Sequence, residues 1–149
     1  MSQPHTSRVV LAEVSGEPLN PAAILAAVER PDAGAIAHFV GRVRDHDSQA
    51  EGTVVALDYT AHPQAGELIG GIVAEAAGQA DPDGVCTVAA VHRVGRLAVG
   101  DDAFIVAVAA PHRREAFAAC ELVVEQVKQK LPVWKQQFTA DGAYHWSGL

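Results

Sequence analysis

Lys128-Gln129-Lys130-Leu131-Pro132-Val133-Trp134-Lys135 places lysines on both sides of a Pro-x-Trp turn, and no other stretch of the chain says as much about chemistry. Pro132 has no N–H to donate and disfavours helical backbone at Leu131, so a helix stops there and Trp134 with Lys135 turns back beside it. Lys128 and Lys135 can then share one cleft. Spacing does not choose between Lys128 and Lys130, since both flank the apolar stripe of the helix, and lysines in a last turn also serve simply to complement the helix dipole. Arg42 and Arg44 alternate with Val43 at a strand end, so both guanidiniums open onto the same loop. Two such forks suit a phosphate or a carboxylate, and they equally keep a strand edge soluble. His112-Arg113 stands at a helix start, where free N–H groups and the positive dipole end favour an anion. The chemistry these cations share is capture of a small anion, on condition that the fold brings them together.

Other chemistries are poorly provided for. The seven histidines show no H-x-H or H-E-x-x-H spacing, Asp45-His46-Asp47 lies in a polar loop, and His92 reads as a hydrogen-bonded structural residue at the end of an apolar strand. Phosphate-loop, nucleophile-elbow and dinucleotide fingerprints are missing, so neither a metal nor a resident cofactor is expected. Cys86 and Cys120 sit in separate apolar patterns and read as buried thiols. A net charge of -7 argues against a nucleic-acid binder, whereas a few cations focused in one cleft can still act locally. No apolar run approaches the roughly 20 residues of a membrane span and Met1 to Arg8 is polar, so a cytoplasmic protein without membrane contact is expected.

The elements that must position these residues follow from the pattern. The 149 residues, 49% hydrophobic, suit one domain over 1–149. Arg8 to Ser15 predicts a strand, and Asn20-Pro21 an N-cap and first-turn proline for a helix through Val28. Ala35 to Arg44 predicts a strand with Gly41 at a bulge or close backbone approach. A polar loop from Asp45 to Gly52 leads to a strand over Thr53 to Tyr59. Leu68, Ile69, Ile72, Val73, Ala76 and Ala77 supply the stripe of a second helix, in which Gly70-Gly71 suggests close packing. After the Asp81-Pro82-Asp83-Gly84 turn, Val85 to His92 and Ala103 to Ala109 predict paired strands. The last helix follows Pro111-His112-Arg113, with Ala116, Cys120, Val123, Val124, Val127 and Leu131 on one face; Phe138 to Leu149 has no clear period. The order predicts an α+β fold with a mixed or antiparallel sheet.

Taken together, Phe39-Val40-Gly41-Arg42-Val43-Arg44-Asp45-His46, Val91-His92-Arg93-Val94-Gly95-Arg96-Leu97-Ala98-Val99-Gly100-Asp101, His112-Arg113-Arg114-Glu115-Ala116-Phe117 and Lys128 to Lys135 resemble the catalytic subunit of molybdopterin synthase. The pieces occur in family order and the resemblance spans roughly Arg8 to Trp146. It implies an α/β-hammerhead-like fold and a sulfurtransferase that turns cyclic pyranopterin monophosphate into the molybdopterin dithiolene, in molybdenum cofactor biosynthesis. It implies a small ubiquitin-like sulfur carrier as partner, with a thiocarboxylate on its Gly-Gly C-terminus, and a homodimer of this chain within a heterotetramer. By motif, substrate contacts fall on Arg42, Val43, Arg44, His112, Arg113, Lys128, Lys135, Gln136 and Gln137, with Lys128 and Lys135 catalytic. This chain departs from the pattern at Gln136-Gln137, where the family commonly has a basic residue and Glu, and its tail to Leu149 has no arginine. The second reading is therefore a catalytically weak paralogue that binds the carrier tail or a pterin phosphate.

Overall fold

The computed structural model describes residues 7–47, 50 and 52–149. In chain order the elements are β1 (Arg8–Ser15), α1 (Pro21–Val28), β2 (Ala35–Arg42), β3 (Val54–Ala61), α2 (Ala65–Ala80), β4 (Thr87–Arg93), β5 (Gly95–Ala98), β6 (Asp102–Ala110), α3 (Arg113–Lys130), β7 (Val133–Thr139) and β8 (Tyr144–Gly148). They form two four-stranded sheets, ordered β1-β4-β6-β2 and β5-β3-β7-β8. Among the described residues only β1 and β4 pair in parallel; the other ladders are antiparallel. This is the mixed α+β class expected, divided over two sheets.

The first sheet has helices on both faces. Along β6, Phe104, Val106, Val108 and Ala110 pack with α2 and α3, while Ile105, Ala107 and Ala109 pack with Ile24 and Val28 of α1. Strand β4 divides the same way, Val88 and Ala90 to one face and Ala89 and Val91 to the other. A strand covered on both faces must be apolar at every position, which is why these two segments read as unbroken hydrophobic runs. Their apolarity is thus satisfied within the chain and by itself carries no argument for a dimer.

Local signals place most boundaries. Asn20 Oδ1 accepts from the Ala23 N–H at 3.1 Å, with Pro21 opening α1. All six residues of the expected α3 stripe are buried, and the helix ends at Lys130, before Pro132. Gly41 is a close approach, since a Cβ there would lie 3.1 Å from the Phe39 ring, and the β2–β6 register shifts between Gly41 and Arg42. That shift ends β2 two residues earlier than expected. Gly70 and Gly71 do not fit the close-packing expectation, because a Cβ at either would meet nothing within 4 Å. Leu68, placed on the α2 stripe, is 45% exposed. The segment after Pro132 is not a simple turn back: it runs on as β7, pairing Tyr59 with Lys135 and Leu57 with Gln137. Strand β8 then returns beside β7 around Gly142, whose φ of +86° favours glycine. The expectation of a mobile loop after Arg44 falls in part on residues 48, 49 and 51, outside those described.

Candidate functional site

The two sheets meet around a cavity of about 320 Å³. Its cations come from four places: Arg42 at the end of β2, Arg44 just beyond it, Lys128 in the last turn of α3, and Lys135 on β7. Val43 and Gln137 also line it. Lys130 does not, which settles the choice that helical spacing left open. The apolar part of the wall holds Phe39, Tyr59, His92 and Phe104. Because β7 alternates, Lys135 and Gln137 face the cavity while Gln136 falls on the other side of the strand and outside it.

His112 and Arg113 are likewise not among the cavity residues. They are exposed at the N-terminal end of α3, whereas Lys128 is in its last turn. An 18-residue helix is about 27 Å long at 1.5 Å per residue. One chain therefore gathers four of the cations singled out in the sequence and holds His112 and Arg113 a helix length away, so that Arg44 could meet them only across an interface with a second copy.

Each cation has its own surroundings. Arg42 Nε donates to Asp102 Oδ1 at 3.0 Å, on an exposed guanidinium. Lys135 Nζ lies 3.1 Å from Asp47 Oδ2, both side chains largely buried. Lys128 has an exposed residue surface but a partly desolvated amine, and its pKa is lowered, first by that desolvation and then by the like charge of Lys135, against an opposing contribution from Glu125. A lysine so placed gives up its proton more easily than a free one. Tyr59 is pushed the other way, to about 12, by burial and by the charge of Asp47, so it stays a neutral phenol. The thiols of Cys86 and Cys120 are buried and pushed up to about 12 and about 11, chiefly by desolvation, and neither reaches the cavity. No helix among the described residues is long and apolar enough to cross a membrane.

His92, which reads from the sequence as a hydrogen-bonded structural residue, is hydrogen-bonded and buried, and it also lines the cavity. It is 2% exposed, stacks on Phe104 at 5.3 Å between ring centroids, and meets Tyr59 edge-on at 5.1 Å. Nδ1 lies 2.7 Å from the Arg93 carbonyl oxygen; a carbonyl only accepts, so Nδ1 carries the proton. Burial pushes its pKa down to about 4, opposed by that hydrogen bond and reinforced by Lys128. The unfolded chain thus binds a proton from about pH 6.5 downward that the native state refuses until about pH 4. Stability is unaffected above this window and falls as pH drops through it, by about 3 kcal/mol in all at 1.36 kcal/mol per pKa unit. Urea unfolding at pH 7 and pH 4.5 is expected to show a smaller acid loss in His92→Phe than in wild type; equal losses would contradict the assignment.

The family model described as MoaE protein matches residues 14–130. The molybdopterin synthase catalytic subunit 1 of Mycobacterium tuberculosis is 39% identical over 136 residues, 91% of this chain and 88% of that protein. Among solved structures, molybdopterin synthase from Staphylococcus aureus superposes with a TM-score of 0.81 at 29% identity, covering 93% of this chain and 97% of that one. A chain of the complex of subunits 1 and 2 of molybdopterin-converting factor from Helicobacter pylori shares the fold at a TM-score of 0.66 and 18% identity, covering 93% and 89%. By the length of the matched region and the identity to its relatives, this chain belongs to the MoaE family of molybdopterin synthase catalytic subunits.

Proposed function

We propose that the chain is a molybdopterin synthase catalytic subunit that inserts sulfur into cyclic pyranopterin monophosphate. The sulfur comes from the C-terminal thiocarboxylate of a small ubiquitin-like carrier. The observation that carries this reading is the meeting of Arg42, Arg44, Lys128 and Lys135 in one cavity between the sheets, in a chain whose overall charge is -7. Both reactants are anionic, and cations fixed in a partly dry cavity position them without reorganising during the reaction. Each transfer forms a carbon–sulfur bond on the pterin side chain as a carbon–oxygen bond at the same carbon breaks, one oxygen staying on the phosphate as its ring opens and the other leaving as water; hydrolysis then breaks the sulfur–acyl bond, with water supplying the oxygen of the carrier's new carboxylate. Two carriers are consumed per dithiolene. Lys128, with its lowered pKa, moves a proton at the reacting carbons. Lys135, held by Asp47, supports charge on the leaving oxygen.

His112 and Arg113 fit this scheme through a second copy of the chain, the homodimer at the centre of a heterotetramer with one carrier on each flank. Light scattering is expected to give a dimer at micromolar concentration. Complementation tests the shared site: Lys128→Ala and His112→Ala/Arg113→Ala are each inactive with thiocarboxylated carrier and pyranopterin. Mixed under exchange they recover about a quarter of wild-type activity, since half of the dimers are hybrid and each hybrid has one intact site. No recovery on verified exchange would place His112 and Arg113 outside the site.

A further inference from the structure

Among the described residues, the charged side chains of the cavity other than Asp47, which Lys135 engages, can only donate hydrogen bonds. They recognise an anion well and a heterocycle poorly. His92 supplies what they lack. Its Nδ1 is committed to the Arg93 carbonyl, so the ring's remaining polar atom, Nε2, is a lone-pair acceptor. Nε2 has no hydrogen-bond partner among the described residues, yet it is not one of the fully buried unpartnered side-chain atoms, which are Arg93 Nε and Glu115 Oε2. A nitrogen that is neither paired nor sealed, on a residue that lines the cavity, opens into the cavity. The ring cannot turn away: Phe104 covers one face, Tyr59 abuts it edge-on, and Nδ1 is pinned. Gln137 offers another acceptor, its amide oxygen, but on a side chain with more rotatable bonds.

We propose that His92 is a specificity-determining residue whose Nε2 accepts a hydrogen bond from a ring N–H of the bound heterocycle, orienting it while the surrounding cations hold its phosphate. The inference rests on reading the cavity as the pterin site. It assigns the ligand a chemistry that the cations alone do not select, a phosphorylated ring with N–H donors as distinct from any phosphate ester. His92→Phe preserves the aromatic packing and removes the acceptor; His92→Gln restores an acceptor.

Calorimetric titration of the folded full-length protein with cyclic pyranopterin monophosphate, and separately with inorganic phosphate, tests this. His92→Phe is expected to weaken pyranopterin binding about tenfold or more and leave phosphate binding as in wild type. His92→Gln is expected to recover most of the loss. Equal pyranopterin affinity in wild type and His92→Phe would overturn the proposal, as would parallel loss of both ligands in a variant with wild-type melting. Should His92→Phe not fold, imidazole ¹⁵N spectra of the wild type decide: the His92 Nε2 resonance is expected to shift upfield on adding pyranopterin, and an unmoved resonance at saturation overturns the proposal. Failure of the wild type to bind pyranopterin at all would instead overturn the function proposed for the cavity.

Discussion

Lys128→Ala is expected to abolish dithiolene formation, by about 10³-fold, within the range for a positioned acid–base group, while the melting temperature stays near that of wild type. The separation of effects follows from where the side chain sits. Lys128 flanks the buried stripe of α3 without joining it, so truncation opens no hole in the core. Its amine, by contrast, sits in the cavity beside Lys135 under conditions that favour proton release. Lys128→Arg separates charge from proton transfer, because a guanidinium keeps the positive charge and does not deprotonate in proteins. The arginine variant is expected to bind pyranopterin as wild type does and still fail to turn over. Single-turnover kinetics with thiocarboxylated carrier measures both, and wild-type-like turnover in Lys128→Ala would remove this lysine from the mechanism.

Arg44→Ala is expected to weaken pyranopterin binding by about 10- to 150-fold, the equivalent of about 1.5–3 kcal/mol for a charge-assisted hydrogen bond. Arg42 is already tied to Asp102, whereas Arg44 makes no ion pair among the described residues and keeps its donors for a ligand. Carrier affinity is expected to be unchanged, since on the proposed reading only the carrier's C-terminal tail enters the cavity. Calorimetry with each ligand separates the two effects. Unchanged pterin affinity with lost carrier affinity would move Arg44 from the phosphate to the carrier interface.

The elements that were legible in the sequence are those whose local chemistry and burial agree. Asn20-Pro21 opens α1, Pro132 follows the end of α3, and the Asp81-Pro82-Asp83-Gly84 turn separates α2 from β4. Strands β5, β7 and β8 were not legible, for physical reasons. Gly95–Ala98 is too short to show a period. On β7 the Lys135-Gln136-Gln137 run is polar on both faces, because one face lines a cation-rich cavity instead of a core. Strand β8 is an edge strand with Tyr144 and Trp146 each 59% exposed. The same logic governs the site. Arg42, Arg44, Lys128 and Lys135 stand out in the sequence as paired cations at element ends, and the structure brings them to one cavity. His92 was legible as the hydrogen-bonded structural histidine it is, but not as a cavity residue, because a histidine closing an apolar strand looks like part of the core. The signal that could have found it is register: β4, β6 and β2 align His92 with Phe104 and Phe104 with Gly41, next to Arg42. The departure at Gln136-Gln137 also divides in space, since only Gln137 lines the cavity, buried to 2% exposure.

Sulfur transfer in this cavity can be followed in a single reaction. Wild-type protein is mixed with thiocarboxylated carrier and cyclic pyranopterin monophosphate, and the carrier C-terminus is followed by mass spectrometry while the dithiolene is trapped by alkylation. The account predicts that thiocarboxylate is converted to carboxylate only when pyranopterin is present, two carriers per dithiolene, and that Lys128→Ala stops both. Carrier and pterin that bind to the wild type and leave unchanged would contradict it and make this chain a binding module.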